Sequence, residues 1–211
     1  MSQPQTPPAP ESFFAERFPA QMNRQLAEQQ DAAAAAQRAL EGMRAVAATL
    51  RFDVRGTGGG TWYVNFAEGR AAAGATPAHP PFLSIVLDRA DFEPLWREAG
   101  DNVLGFLGGV SGMGAPIKLT RSRVEAIGAV KGALLFELTG EGGFRLVAHL
   151  GAAPPAEDAP PATTIRVDAQ AYRELRSGAL QPQDAFLAGK IQIEGDMQLA
   201  MQLALAVLSP D

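Results

Sequence analysis

The chain has 211 residues, 46% hydrophobic and 19% charged, the balance of a soluble globular protein with a sizeable core. Its net charge is −5 and no Lys/Arg cluster stands out, so no field attracts nucleic acid or an anionic membrane surface. There is no cysteine, which excludes disulfide and thiolate chemistry; no run reads as a signal peptide or a membrane span, and a cytoplasmic protein is expected.

Residues 1–10 hold four prolines and little apolar content, and disorder is expected there. From 11 to 48 the composition is rich in Ala, Gln, Glu and Arg, which predicts one long helix or a pair broken near Pro19. Phe13, Phe14, Phe18, Met22 and Leu26 recur at helical spacing, as do Leu40, Met43 and Val46. Strands begin at Leu50. Leu50, Phe52 and Val54 alternate with charged residues, Gly56 to Gly60 supply a turn, and Trp62, Val64 and Phe66 alternate in turn. A Pro/Ala/Gly loop leads to a third strand with Leu83, Ile85 and Leu87. The glycine-rich run that follows has no charge between Asp101 and Lys118; it reads as a buried loop, or as a flexible apolar lid through Phe106, Leu107, Val110 and Met113. After Pro116 a short apolar strand-like run is expected.

The strand pattern recurs. Ser84-Ile-Val-Leu-Asp88 and Thr164-Ile-Arg-Val-Asp168 stand 80 residues apart, as do Phe92 and Tyr172, and Leu95 and Leu175. Phe52 to Phe136 and Trp62 to Phe144 are separated by 84 and 82. A degenerate duplication is therefore expected, with one half at 46–120 and a fuller one at 121–211. Coincidental similarity of two meanders is the alternative, and the halves could share one sheet.

The C-terminal end is the most specific part. Ile191 and Ile193 point to one face of a strand, Lys190, Gln192 and Glu194 to the other. Gly195 turns the chain and Asp196 is placed to N-cap a helix. In that helix Gln198 and Gln202 form one polar stripe, while Met197, Leu199, Met201, Leu203 and Leu205 leave it apolar nearly all round.

The order Gly-x-Leu-x-Pro-x-x-Ala-Phe, then Gly-Lys-Ile-x-Ile-x-Gly-Asp-Met-x-Leu-Ala-Met, here at 178–201, resembles the C-terminal signature of the sterol-carrier-protein family of lipid-binding domains. The resemblance extends more weakly over 127–208. It implies an α+β fold, a mostly antiparallel sheet packed by helices, with the long N-terminal helix added in front. It also implies an apolar tunnel for sterols, fatty acids or other acyl chains, and no cofactor. The lining expected is Phe136, Leu138, Leu146, Phe186, Leu187, Ile191, Ile193, Met197, Met201 and Leu205. The family also includes non-catalytic accessory domains, in quinone biosynthesis among others. In that alternative the tunnel is filled, and Trp62, Phe66, Phe92 and Trp96 are large enough to plug the first half.

No catalytic constellation is legible. The two histidines, His79 in a loop and His149 on the polar side of a strand, lack the spacing of a metal site or a nucleophile–base pair. Neither glycine run carries Gly-Lys-Ser/Thr before a capped helix, so nucleotide binding is not expected. The partner expected is a lipid or other apolar small molecule, with a transient membrane or protein contact left open and the oligomeric state unread.

Overall fold

The computed structural model describes residues 10–100, 103–104, 117–153, 155 and 160–208; the residues of the expected lid, Phe106, Leu107, Val110 and Met113, lie outside them, as do residues 1–9. The chain divides into two units after Leu40. The first is helical. A turn at Pro10–Ser12 and a π-helical turn at Phe13–Arg17 run without a break into α1, Phe18–Arg44. Pro19 has no N–H to donate one turn back, and the π turn sits just where that bond is lost. The proline thus loosens the helix without splitting it. No helix among the described residues is long and apolar enough to cross a membrane.

The second unit is an α+β layer. Its strands are β1 Ala48–Arg55, β2 Gly60–Ala67, β3 Arg70–Gly74 and β4 Pro81–Asp88, then β5 Gly132–Thr139, β6 Phe144–Leu150, β7 Thr163–Asp168 and β8 Ile191–Gly195. They form one sheet in the order β3-β2-β1-β4-β6-β5-β7-β8. Only β1/β4 and β5/β7 are parallel; the other neighbours are antiparallel. Among the described residues the unit also has helices α2 Arg89–Ala99, α3 Arg121–Ala129, α4 Ala169–Arg176, α5 Pro182–Leu187 and α6 Met197–Leu208.

Period-two alternation decides which face they cover. Leu50, Leu83, Ile85, Leu134, Leu146 and Ile165 turn to one side and enter a single core with Leu95, Ile127, Leu175 and Leu203 of the helices. The other face carries charge. Arg166 bonds Glu137 and Glu194 across three strands, each at 2.6 Å. His149 lies on this polar face too, and partial burial together with Arg55 and Arg51 lowers its pKa.

Two elements depart from the sequence reading. The Ala-rich loop after β2 is an edge strand, β3, formed because Glu68 and Gly69 both take positive φ and reverse the chain in two residues. The run after Pro116 is not a strand; residues 117–120 lead into α3, whose Val124 and Ile127 are buried.

The two halves match in geometry. Phe52 pairs with Trp62 and Ile85, and Phe136 pairs with Leu146 and Ile165. The hairpins therefore correspond at an offset of 84 and the third strands at 80, so Trp62 corresponds to Leu146 rather than Phe144, one pleat away. The hairpin turns agree in detail. Gly56 and Gly58 have φ of 92° and 78°, and Gly140 and Gly142 have 94° and 80°. A Cβ on Gly59 would stand 2.0 Å from the Val54 carbonyl oxygen, and one on Gly143 would stand 2.4 Å from that of Leu138.

The helices after the third strands begin differently. Asp168 accepts bonds from the backbone N–H groups of Gln170 and Ala171 at 2.9 and 3.1 Å, whereas its counterpart Asp88 makes no side-chain cap bond. Asp168→Ala is expected to cost about 1 kcal/mol of stability in urea unfolding, and Asp88→Ala only a small fraction of that.

Candidate functional site

A cavity of about 630 Å³ opens between α2 and the first-half strands. Its floor is the apolar face of the sheet, with Phe52 and Val54 from β1 and Ile85 and Leu87 from β4. Phe92, Leu95 and Trp96 hang from α2 at i, i+3 and i+4, the spacing that puts side chains on one helix face. Trp62 of β2 forms the outer wall. Ile85 and Leu95 are buried, whereas Trp62 is 47% and Trp96 58% exposed, so the rings form a rim and do not plug the space. Arg89, the first residue of α2, is the one charged group among the described lining residues.

The second half shows why the space exists. At the position of Gly60 it has Phe144, buried on the same face. At Trp62 it has Leu146, only 2% exposed, and at Phe92 it has Tyr172, 4% exposed. The Phe144 ring thus stands in one half at a position where the other half has a glycine and no side chain. A Cβ on Gly60 would come within 3.1 Å of the Trp62 indole, which means that the indole lies across the glycine. Tyr172 stays neutral: burial pushes its phenol up to about 12, opposed by the nearby Arg176.

The roof of the cavity is tied to the second half. Asp91 of α2 accepts a bond from the Arg145 backbone N–H at 3.0 Å. Glu98 accepts from Arg173 Nε at 3.3 Å, and its carbonyl oxygen accepts from Arg176. α2 therefore stands over β1, β4 and the start of β6, pinned at both ends by groups outside the half to which it belongs.

The residues expected from sequence to line a tunnel divide into two sets. Phe136, Leu138, Leu146 and Ile191 are buried in the core, with Ile193 packed against it. Phe186, Leu187, Met197, Met201 and Leu205 are exposed, Leu205 to 68%. On α6 it is Leu199, Ala200, Leu203, Ala206 and Val207 that are buried, and Asp196 caps the helix through the Leu199 N–H at 3.1 Å. Lys190 is paired with Glu174 of α4 at 3.1 Å. The sequence reading had named the rings around the first-half cavity only as plugs. The signal available was the exchange of Phe144 for Gly60, visible once the offset of 84 is applied.

The model of the SCP-2 sterol transfer family matches residues 117–207. A search of the curated proteins finds no match. Among solved structures the chain is similar to sterol carrier protein 2 of Yarrowia lipolytica, 12% identical, covering 56% of this chain and 88% of that one, with a TM-score of 0.31. It is similar to the sterol carrier protein domain 2 of Helicoverpa armigera, 30% identical, covering 39% and 70%, with a TM-score of 0.29. It is also similar to UbiJ-SCP2, a ubiquinone synthesis protein, 17% identical, covering 57% and 99%, with a TM-score of 0.32. The family match begins at residue 117, beyond the described residues of the cavity lining, the last of which is Val103.

Gly60→Phe combined with Trp62→Leu copies the second-half pair into the first. This variant is expected to keep or raise the thermal midpoint and to lose binding of an environment-sensitive apolar dye; full dye binding by the folded variant would show that the cavity is not the dye's site.

Proposed function

We propose that this chain, whose residues 117–207 belong to the SCP-2 sterol transfer family, binds a hydrophobic lipid without catalysis, a sterol, a fatty acid or another acyl-chain molecule, and that the guest sits in the first-half cavity. The observation that carries the proposal is the cavity itself, apolar on its walls and in the size range of small-molecule sites. Each 100 Å² of guest hydrocarbon taken from water contributes about 2.5 kcal/mol, before the cost of association. Among the described lining residues the charged group is Arg89, whose guanidinium offers donors and no acceptor, and so suits binding better than acid–base chemistry. The matching turns, strand directions and third-strand helices support reading the chain as a duplicated sterol-carrier-like unit in which the first copy kept room for the guest.

A second reading places the guest in the second half, among Phe136, Leu138, Leu146, Phe186, Leu187, Ile191, Ile193, Met197, Met201 and Leu205. What favours it is that the family match falls there. The exposed methionines of α6 would then have to turn inward around the guest. A third reading, an accessory protein in lipid or quinone metabolism that works by protein contact, draws support from the close packing around Tyr172 and Leu146.

The chain carries its own reporter, since its two tryptophans, Trp62 and Trp96, both line the cavity. Titration with a brominated fatty acid is expected to quench most of the indole emission saturably, at one guest per chain. Met201→Trp is expected to leave uptake unchanged; loss of uptake in a folded Met201→Trp variant would move the guest to the second half. If the parent takes up no apolar probe at all, the accessory reading stands instead.

A further inference from the structure

We infer that the cavity selects an amphiphile with an anionic head, which Arg89 and the first turn of α2 hold at the mouth; this rests on the binding reading above and adds to it the chemistry of the guest. The described lining residues are aromatic, aliphatic or glycine except at Arg89. Its side chain leaves the helix beside the hairpin turn: a Cβ built on Gly56 would stand 3.8 Å from the Arg89 Cβ. The guanidinium lies over the Phe92 ring, with Cζ 5.5 Å from the centroid, so a stacked aromatic orients it at the rim. Glu93 meets one of its nitrogens at a long 3.4 Å and is shared with Arg97 at 3.5 Å. Two cations thus divide one carboxylate. A guanidinium has five N–H donors in a planar fork, which fits a carboxylate or phosphate through two parallel bonds.

The helix start points the same way. In the second half Asp168 occupies the first-turn N–H groups of α4 with its own carboxylate. In the first half Asp88 makes no such bond to α2, an eleven-residue helix whose N-terminal end, where Arg89 stands, carries partial positive charge. The counterpart of Arg89 in the second half is Ala169, where the equivalent space is filled. The cation and the uncapped helix start therefore occur together with the open cavity and are absent together where it is closed. An anionic head resting at an exposed rim keeps part of its hydration while its tail is buried, so the ion pair adds to affinity at small desolvation cost.

The test compares three probes of equal chain length, a sixteen-carbon acid, the matching alkyl phosphate and the matching alcohol, on the full chain by displacement of a bound apolar dye. The parent is expected to bind the acid or the phosphate roughly ten-fold more tightly than the alcohol, which corresponds to about 1.4 kcal/mol. Arg89→Gln is expected to bring the charged probes down to the affinity that the same variant has for the alcohol, while Arg89→Lys retains part of the preference. The thermal midpoint of each variant confirms folding. Equal binding of all three probes by the parent, or a preference that survives in folded Arg89→Gln, overturns the assignment while the cavity stands. A parent that binds none of the probes overturns the binding reading, and this inference with it.

Discussion

The pairing of β4 with β6 is the contact on which the architecture depends. Through it the sheet runs unbroken from β3 to β8, and two five-strand sets can be counted in it. The first is β3-β2-β1-β4-β6 and the second is β4-β6-β5-β7-β8. Each runs up, down, up, up, down, so each half completes its set with a strand of the other. This accounts for the missing signature in the first half. The place beside β7 that β8 fills is, beside β4, already taken by β6. A Gly-Lys-Ile-x-Ile strand after α2 would have nowhere to pair.

Shared strands have a further consequence. Neither half encloses its own edges, and an unpaired β4 or β6 would expose a row of backbone donors and acceptors. The 41–211 unit is thus held together by hydrogen bonding of the main chain as well as by its common core. The halves are free to differ in their side chains because the backbone frame they share does not depend on those differences. Phe144, Leu146 and Tyr172 are buried in the packing of one half, whereas Trp62 and Phe92 border the cavity of the other.

Much of the frame was legible in the sequence because it rests on alternation and on turns. Leu50/Phe52/Val54, Leu83/Ile85/Leu87 and Ile191/Ile193 read as strands, and Asp196 read as a cap, since each signal is local. β3 was not legible: Ala71, Ala72 and Ala73 carry no strand preference and are extended only because β2 offers them an edge. α3 was missed because two apolar residues, Val124 and Ile127, are too few to show a period. The cavity was hidden for a different reason. Setting Trp62 against Phe144 matches one large ring with another and keeps both on the correct face, so nothing looks missing. Only the pairing of Phe52 with Trp62 and of Phe136 with Leu146 moves the comparison by one pleat and sets a glycine opposite a buried phenylalanine.

The position of α2 joins the two levels. A roof held only by the first half would be free to settle onto the sheet, because an apolar void is unstable against collapse. Asp91 on the Arg145 N–H, and Glu98 with Arg173 and Arg176, prevent this by fastening the helix to β6 and α4. Leu95 packs into the core from the same helix, so a downward shift of α2 would have to break those bonds and displace a buried leucine together. The packed half thereby acts as the frame against which the open half is held open. That arrangement gives the closely packed half a structural role beside the half that carries the cavity.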